Sequence, residues 1–518
     1  MKRLLHTPLA LLVWRIVLLY AVLMLCRTAF YLYNAAVLGP LTWAEAWPLL
    51  AGALKFDTAS VVYADGVFIL LSLLPLPLRE RRWYRAVLFW YYVAVNAVLV
   101  VATNLILSNP FCILRTIGSA GSVKYKKHFA PEELARRFTP VHQPADSAAV
   151  NLAGRNVVVF IMESMSAEHS AYLCPEVYAE REVKGFTPFL DSLMQNGLVF
   201  KRMYANGTRS IQAMPSVLGS LPSFRTPFVL MPQSLGESRQ LPAMPADKGY
   251  ATLFFCGSEH GSMGFGAYAR SAGVERLVSR EDYEARHGTG DFDGYWGIWD
   301  EPFLQFMGEE LAATPEPFFA TLFTLSSHHP FVVPEQYAAT LPDGYTRIHK
   351  GVAYNDQAFR RFFHRFGGEE WFRRTIFVFV ADHVSSEKFA EKTRSYPGNM
   401  HIVGFIHTPD GALQGEVREV TQQLDIMPTV LGLTGNTEPY FAFGRDVLNE
   451  PQRPQWSVSY DGKFRALTDD GAVVLDDSGT EVQECPATPA ADSLTQSFRA
   501  LIQQYYSHIE RKSYTPND

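Results

Sequence analysis

Two short apolar runs, each stopped by a carboxylate, constrain this chain more than any other feature. Residues Asn156 to Ser164 read Asn-Val-Val-Val-Phe-Ile-Met-Glu-Ser, and Thr375 to His383 read Thr-Ile-Phe-Val-Phe-Val-Ala-Asp-His. A run this short, bounded by polar residues, predicts a strand buried on both faces of a parallel sheet. A charge at the end of such a strand falls at the carboxyl edge of the sheet, where open α/β folds bind ligands. Two strands distant in sequence thus offer Glu163, Asp382 and His383 to one divalent cation.

The same alternation continues beyond Asn156 and predicts an α/β layered fold with a mostly parallel central sheet. Expected strands are Val157–Met162, Ala251–Phe255, Phe318–Thr324, Ile376–Val380 and Ile402–Ile406. Expected helices are Thr187–Gln195, Arg209–Leu218, Tyr354–Phe366 and Val420–Leu433. This places a catalytic domain over residues 151–450. A small α+β piece over 451–518 follows, with a hairpin at Phe464–Val474 turning at Asp469-Asp470-Gly471 and a helix near Ser493–His508. Residues 109–150 read as a linker with a helical stretch around Pro131 to Phe138.

At 518 residues the chain is too long for one ordinary domain, and its first part differs in kind. Thr7–Phe30, Thr58–Leu78 and Ala86–Leu107 are each apolar and long enough to cross a bilayer of about 30 Å. Residues 1–108 are therefore expected to form a transmembrane region of about three spans. Two apolar segments beyond the first make a cleaved signal peptide a poor account. Leu41–Leu54 is short and carries Glu45, so it reads as interfacial or re-entrant. Lys2, Arg3 and the loop Arg79-Glu80-Arg81-Arg82-Trp83-Tyr84-Arg85 belong in the cytoplasm by the positive-inside rule. Everything after Leu107 then lies outside a bacterial cytoplasmic membrane. A charge at the centre of a membrane helix costs about 2.5–3.5 kcal/mol on insertion scales, so Asp57 is placed at the interface and Asp65 against neighbouring helices.

A net charge of −6 gives no electrostatic ground for nucleic-acid binding. The five cysteines, Cys26, Cys112, Cys174, Cys256 and Cys485, contain no Cys-x-x-Cys pair. Neither a zinc knuckle nor a thioredoxin-type site is indicated.

Ala205 to Gln212 reads Ala-Asn-Gly-Thr-Arg-Ser-Ile-Gln, a glycine-containing turn entering a helix. A threonine there is commonly a plain N-cap. Near a metal-ligand set at a sheet edge, with helix amides able to hold an anion, it gains a second role. A hydroxyl next to a divalent cation loses its proton far more easily than in water and can attack phosphorus.

With these residues in place, the chain resembles the lipoteichoic acid synthase group of the alkaline phosphatase/sulfatase superfamily. The matching stretches are Val157–Ser164 with Glu163, Asn206–Ser210 with Thr208, and Ser326-Ser327-His328-His329-Pro330-Phe331. Ala381-Asp382-His383, Leu424–Leu431 with its Asp-x-x-Pro-Thr pattern, Gly294–Glu301 with Trp-Gly-x-x-Asp, and Lys55-Phe56-Asp57 extend the likeness over nearly the whole chain. The resemblance implies that Glu163, Thr208, Asp382 and His383 bind one metal and that Thr208 is the nucleophile. It assigns His328 to the phosphoryl oxygens or the leaving group, with His329 as a substitute. Arg209, His401 and Trp296 complete the expected substrate contacts. Two carboxylates, a hydroxyl and an imidazole suit manganese, magnesium or zinc. The resemblance favours manganese or magnesium for the synthases and zinc for phosphoethanolamine transferases.

The implied activity moves a headgroup, glycerol phosphate or ethanolamine phosphate, from a membrane phospholipid through phosphothreonine to an envelope glycan, lipid or polymer. Three departures stand out. The synthases carry a Trp-Asn-Arg element that helps hold glycerol phosphate, which Cys256 to Gly266 lacks; the spans number fewer than the usual five; and Val384 replaces a frequent glycine. True sulfatases need Cys/Ser-x-Pro-x-Arg, which is absent, so ester hydrolysis by this chain would concern phosphodiesters. A non-catalytic lipid-binding pseudoenzyme predicts loss of a ligand or the nucleophile, and all four residues are present.

Overall fold

The run at Asn156–Met162 forms strand β1, every residue of it buried, and the run at Thr375–Ala381 forms an equally buried strand. In a computed structural model that describes residues 8–33, 43–73, 81–106, 125–144, 148–482 and 492–517, these two strands pair in parallel at the centre of an eight-stranded sheet. In chain order the other strands are β2 Leu198–Tyr204, β3 Ala251–Cys256, β4 Arg276–Val278 and β5 Phe318–Phe323. Thr375–Ala381 is β6, followed by β7 Gly404–His407 and β8 Gly415–Gln422. Across the sheet the order is β8-β2-β7-β6-β1-β5-β3-β4. All strands run one way except β7, which is antiparallel to β6 and β2. The sheet is therefore mixed, with a parallel centre.

The centre is apolar because helices cover it on both faces. Phe160 of β1 meets Phe359 and Phe362, at ring-centroid distances of 5.0 and 5.9 Å, from the helix Ile348–Phe366. Each such side chain gains about 1.5–3 kcal/mol from full burial. That helix begins six residues before the expected start at Tyr354, because His349, Val352 and Ala353 also turn inward.

The helix expected over Val420–Leu433 is instead two elements. Gly415–Gln422 is edge strand β8, paired with β2, and the helix runs only over Ile426–Leu433. Val417 and Val420 face the core while Glu416, Arg418 and Glu419 face solvent, with a register shift between the two valines. That shift hides the alternation that marks a strand. At the end of the chain, Phe464–Thr468 and Gly471–Leu475 form the expected hairpin, and Ser457–Tyr460 adds a third strand. The last helix, Asp492–Arg511, holds residues 128 and 129 through Gln503, whose Oε1 accepts both backbone N–H groups at 2.7 and 3.0 Å.

The chain divides into two compact units, residues 1–122 and 123–518. The described residues of the first include the helices Pro8–Tyr33, Trp43–Leu73 and Arg82–Ile106. Residues 43–54, expected to be interfacial or re-entrant, are the opening turns of one continuous helix of 31 residues. Asp65 is buried against a neighbouring helix as expected, and it accepts a 2.8 Å hydrogen bond from Asn96. Asp57 is buried too. Among the described residues, no helix is long and apolar enough to cross a membrane, where the sequence leads one to expect about three spans; Thr7, residues 74–78 and Leu107 of those expected spans lie outside the described residues. Lys2, Arg3, Arg79 and Glu80 lie outside the described residues.

Candidate active site

Glu163 follows directly on β1 and Asp382 directly on β6, so in-register pairing of Met162 with Ala381 sets the two carboxylates side by side. The Asp382 backbone N–H donates to the Met162 carbonyl at 3.0 Å, closing that edge. Glu163 is held by its own backbone: its N–H donates to Thr324 Oγ1 at 2.9 Å and its carbonyl accepts from Ser327 Oγ at 2.7 Å. Ser164 then turns sharply at φ +54°, a left-handed conformation costly for a residue with a Cβ. The turn directs its N–H to Asp382 Oδ1 at 2.7 Å and its hydroxyl to Glu163 Oε1 at 2.6 Å.

Glu163, Asp382 and His383 each bring a ligand atom within 4.8 Å of the others. His383 Nδ1 faces the Val384 carbonyl at 2.8 Å. A carbonyl only accepts, so Nδ1 carries the proton and Nε2 presents its lone pair. Nε2 lies 3.2 Å from Asp382 Oδ2 and 3.9 Å from Glu163 Oε1. Asp382 Oδ2 is buried with no hydrogen-bond donor, and in the neutral ring Nε2 supplies none. Burial, and after it the Glu163 carboxylate, pushes the Asp382 carboxyl up to about 8. Burial opposes a charge on His383, yet the Asp382 and Glu163 carboxylates raise its imidazole above the ordinary value. An orphaned carboxylate oxygen, a second carboxylate and a free imidazole lone pair together fit a divalent cation, which supplies what this cluster lacks.

The third arm comes from the turn after β2. Gln212 Oε1 accepts from the N–H groups of Thr208 and Arg209 at 2.9 and 3.1 Å, closing the turn into the helix Ser210–Gly219. Gly207 is required there, since a Cβ would come within 2.7 Å of the Gln212 side chain. Gln423 ties this turn to the metal strand: its Oε1 accepts from Asn206 N–H, and its Nε2 donates to the Ala381 and Asp382 carbonyls.

Thr208, His328, His329, Glu163 and His383 line one cleft of about 360 Å³. Trp296 supports this wall: its Nε1 donates to the His329 carbonyl at 2.6 Å and its ring lies 4.2 Å from His328. Asp300, in the same Trp-Gly-x-x-Asp element, caps the loop after β5 by accepting from Leu325 and Ser326 N–H at 2.8 and 2.9 Å. Arg209 is exposed and does not line the cleft. His401 turns away from it too: its Nε2 meets the Lys201 carbonyl at 3.1 Å, and burial pushes its imidazole down to about 4.

Sequence reasoning passed over Ser210, whose Oγ lies 3.2 Å from Glu163 Oε2 and 3.3 Å from His383 Nε2. Its sole signal is its place in the first helical turn, two residues beyond Thr208. The segment from Cys256 to Gly266 departs from the synthases at Trp-Asn-Arg. Its Cys256, Ser258 and His260 line a separate small pocket rather than the cleft.

Comparison with known proteins agrees with this geometry. The model of the sulfatase family matches residues 155–436, more than half of the chain. The chain is 24% identical to the lipoteichoic acid synthase-like protein YvgJ of Bacillus subtilis over 68% of its own length and 60% of that protein. It is 23% identical to lipoteichoic acid synthase 2 of the same organism over 58% and 48%. It thus spans roughly half to three-fifths of the curated relatives it matches. Among solved structures, an alkaline phosphatase superfamily protein from Vibrio parahaemolyticus superposes with a TM-score of 0.62 at 24% identity, covering 77% of this chain and 95% of that one. The lipoteichoic acid synthase LtaP from Listeria monocytogenes gives 0.57 at 19% identity, covering 74% and 98%. The fold is that of the alkaline phosphatase superfamily, and the chain belongs to the sulfatase family.

Proposed function

We propose that this protein is a membrane-anchored, divalent-metal-dependent phosphotransferase that moves a phospholipid headgroup through phosphothreonine at Thr208 to an envelope acceptor. The observation that carries this reading is the Glu163, Asp382 and His383 cluster opening into the cleft that Thr208 and His328 also line. Glu163, Asp382, His383 and Thr208 would hold the cation. When bound, it would supply Lewis-acid polarisation and lower the pKa of an adjacent hydroxyl.

The chain's own residues account for the rest. The Thr208 hydroxyl gives up its proton to water and its oxygen forms a bond to the donor phosphorus as the bond from phosphorus to the diacylglycerol oxygen breaks. His328, braced by Trp296, faces the cleft where it can protonate that departing oxygen. An acceptor hydroxyl then attacks the phosphothreonine and restores Thr208. The N–H groups of the following helix turn favour the phosphoryl charge. Ser210 Oγ also lies 3.2 Å from Glu163 Oε2, and its hydroxyl is spent on that carboxylate. Thr208 is exposed to the cleft, as a nucleophile must be.

A lipid donor requires a site near the bilayer. The helices Pro8–Tyr33, Trp43–Leu73 and Arg82–Ile106 have 26, 31 and 25 residues; at 1.5 Å per residue their length admits a crossing of about 30 Å, although no described stretch is both long and apolar enough for a span. Outward-facing Trp14, Leu18, Val62, Leu70, Val87 and Trp90 would meet lipid. Anchoring raises the effective concentration of membrane substrate at the cleft. The test is to incubate purified protein with fluorescent phosphatidylglycerol and phosphatidylethanolamine separately. Diacylglycerol release from one of them, together with a mass increment on the Thr208 peptide, is expected. Release with no adduct on Thr208, or none from either lipid, would refute the proposal.

A further inference from the structure

Two charged side chains of the cleft wall take no part in that transfer, Lys388 and Asp461, and Asp461 is held by Arg465. Lys388 lies six residues beyond Asp382, on the loop that lines one side of the cleft through Ser385, Tyr396 and Asn399 as well. Its backbone is pinned on both sides. The Glu387 carboxylate accepts from Arg347 and Ile348 N–H at 2.7 and 3.2 Å. Phe389 stacks on Tyr345 at 5.6 Å and meets His349 edge-on at 4.7 Å. Ala390 N–H donates to Glu168 Oε2 at 3.1 Å. A lysine between such anchors has its backbone held at the cleft wall, which its side chain lines.

Among the described residues Lys388 forms no salt bridge. The Glu168 carboxylate acts on it through space, its Oε2 taken up by Ala390 and Thr393 and its Oε1 buried without a hydrogen-bond donor. Burial lowers the Lys388 ammonium from its ordinary value. A partly buried cation with no ion pair in direct contact is costly to keep. The other carboxylates of the cleft do not answer it: Asp461 accepts from Arg465 Nε on both oxygens at 3.1 and 2.9 Å, and Glu163 is turned toward Ser164 and Ser210. What fits a cation of the cleft wall that no direct ion pair closes is an anion.

We propose that Lys388 binds the anionic phosphodiester of the donor by charge-assisted hydrogen bonds to its non-bridging oxygens. The proposal rests on the phosphotransfer reading, and it adds a substrate-binding residue from outside the metal cluster and the Thr208 turn. Removing one charge-assisted contact to phosphate is expected to weaken binding about tenfold. Lys388→Met, Lys388→Arg and the wild type, each as the full chain in detergent, are titrated with inorganic phosphate in one magnesium-containing buffer. Their kcat and KM for release of diacylglycerol from fluorescent phospholipid are measured in parallel. Lys388→Met should raise the phosphate Kd and the donor KM about tenfold and leave kcat within about threefold, while Lys388→Arg stays within about threefold in all three. Unchanged phosphate affinity in Lys388→Met, or a Lys388→Arg variant as weak as Lys388→Met, overturns the assignment. Lys388→Gln replaces Lys388→Met if the latter fails to fold. If no phospholipid yields diacylglycerol, the phosphotransfer reading fails, and the phosphate titration alone still decides Lys388.

Discussion

Asp382 and Asp300 are both buried aspartates at the carboxyl edge of the central sheet, and their surroundings set them apart. Asp300 spends its carboxylate on the Leu325 and Ser326 N–H groups and on Asn355 Nδ2, each within 2.9 Å. Asp382 gives Oδ1 to Ser164 and His383 N–H but keeps Oδ2 without a donor, facing Glu163. Burial raises both, Asp300 to about 6 and Asp382 to about 8, the higher value reflecting the adjacent carboxylate. A buried acid whose every oxygen is satisfied holds a loop; one left with an open oxygen beside a like charge awaits a cation. A related contrast separates two histidines that each meet a backbone carbonyl: His383 does so through Nδ1 and turns Nε2 to the carboxylates in the cleft, whereas His401 turns Nε2 itself onto the Lys201 carbonyl and does not line the cleft.

The largest effect falls on chemistry. Thr208→Ala should lower headgroup transfer on the order of 10³-fold or more with the melting temperature unchanged, checked by lipid assay and thermal unfolding together. Asp300→Ala tests the other half of the comparison. It leaves two loop N–H groups without their acceptor, and a loss of about 3 kcal/mol in chemical denaturation is expected; a fully stable variant would show that the loop holds itself. Ser210→Ala removes one hydrogen bond from Glu163 and should reduce activity about tenfold. A loss as complete as that of Thr208→Ala would move the nucleophile to Ser210. His401→Gln is expected to leave kcat/KM within about threefold, since its partner is backbone.

The two aspartates also differ in pH dependence. In metal-stripped protein, Asp382 titrates near 8 folded against 3.8 unfolded, so the folded state holds the extra proton between those values. Stability then falls as pH rises from about 4 to about 8. Asp300 contributes in the same direction only up to about 6. Asp382→Asn should therefore lessen the fall in melting temperature between about pH 6 and 8, leaving the part due to Asp356, which burial raises to about 7, and manganese should do the same for the wild type. An unaltered slope in both would contradict the environment assigned to Asp382.

Much of this was legible in the sequence where one physical demand dominates. The centre of the sheet must be apolar on both faces, so β1, β3, β5 and β6 declare themselves, and their terminal charges mark the site. Strand β2 was missed because Lys201 and Arg202 interrupt it near the sheet's edge, where two of its residues are only half-buried. The helix from Trp43 to Leu73 was cut short on paper by Glu45, a residue the helix carries without ending. Arg209 and His401 carry the right chemistry at suggestive places, but side-chain direction depends on partners far away in sequence, such as the Lys201 carbonyl. Ser210 and Lys388 were invisible for the same reason: a serine in a helical turn and a lysine in a loop have no pattern of their own.

The central claim is that Glu163, Asp382 and His383 together bind one divalent cation, and calorimetric titration of metal-stripped protein with manganese tests it most directly. One ion per chain in the wild type, with binding lost in Asp382→Ala and retained in Asp300→Asn, is the predicted result. Manganese binding of equal strength in wild type and Asp382→Ala would contradict the account.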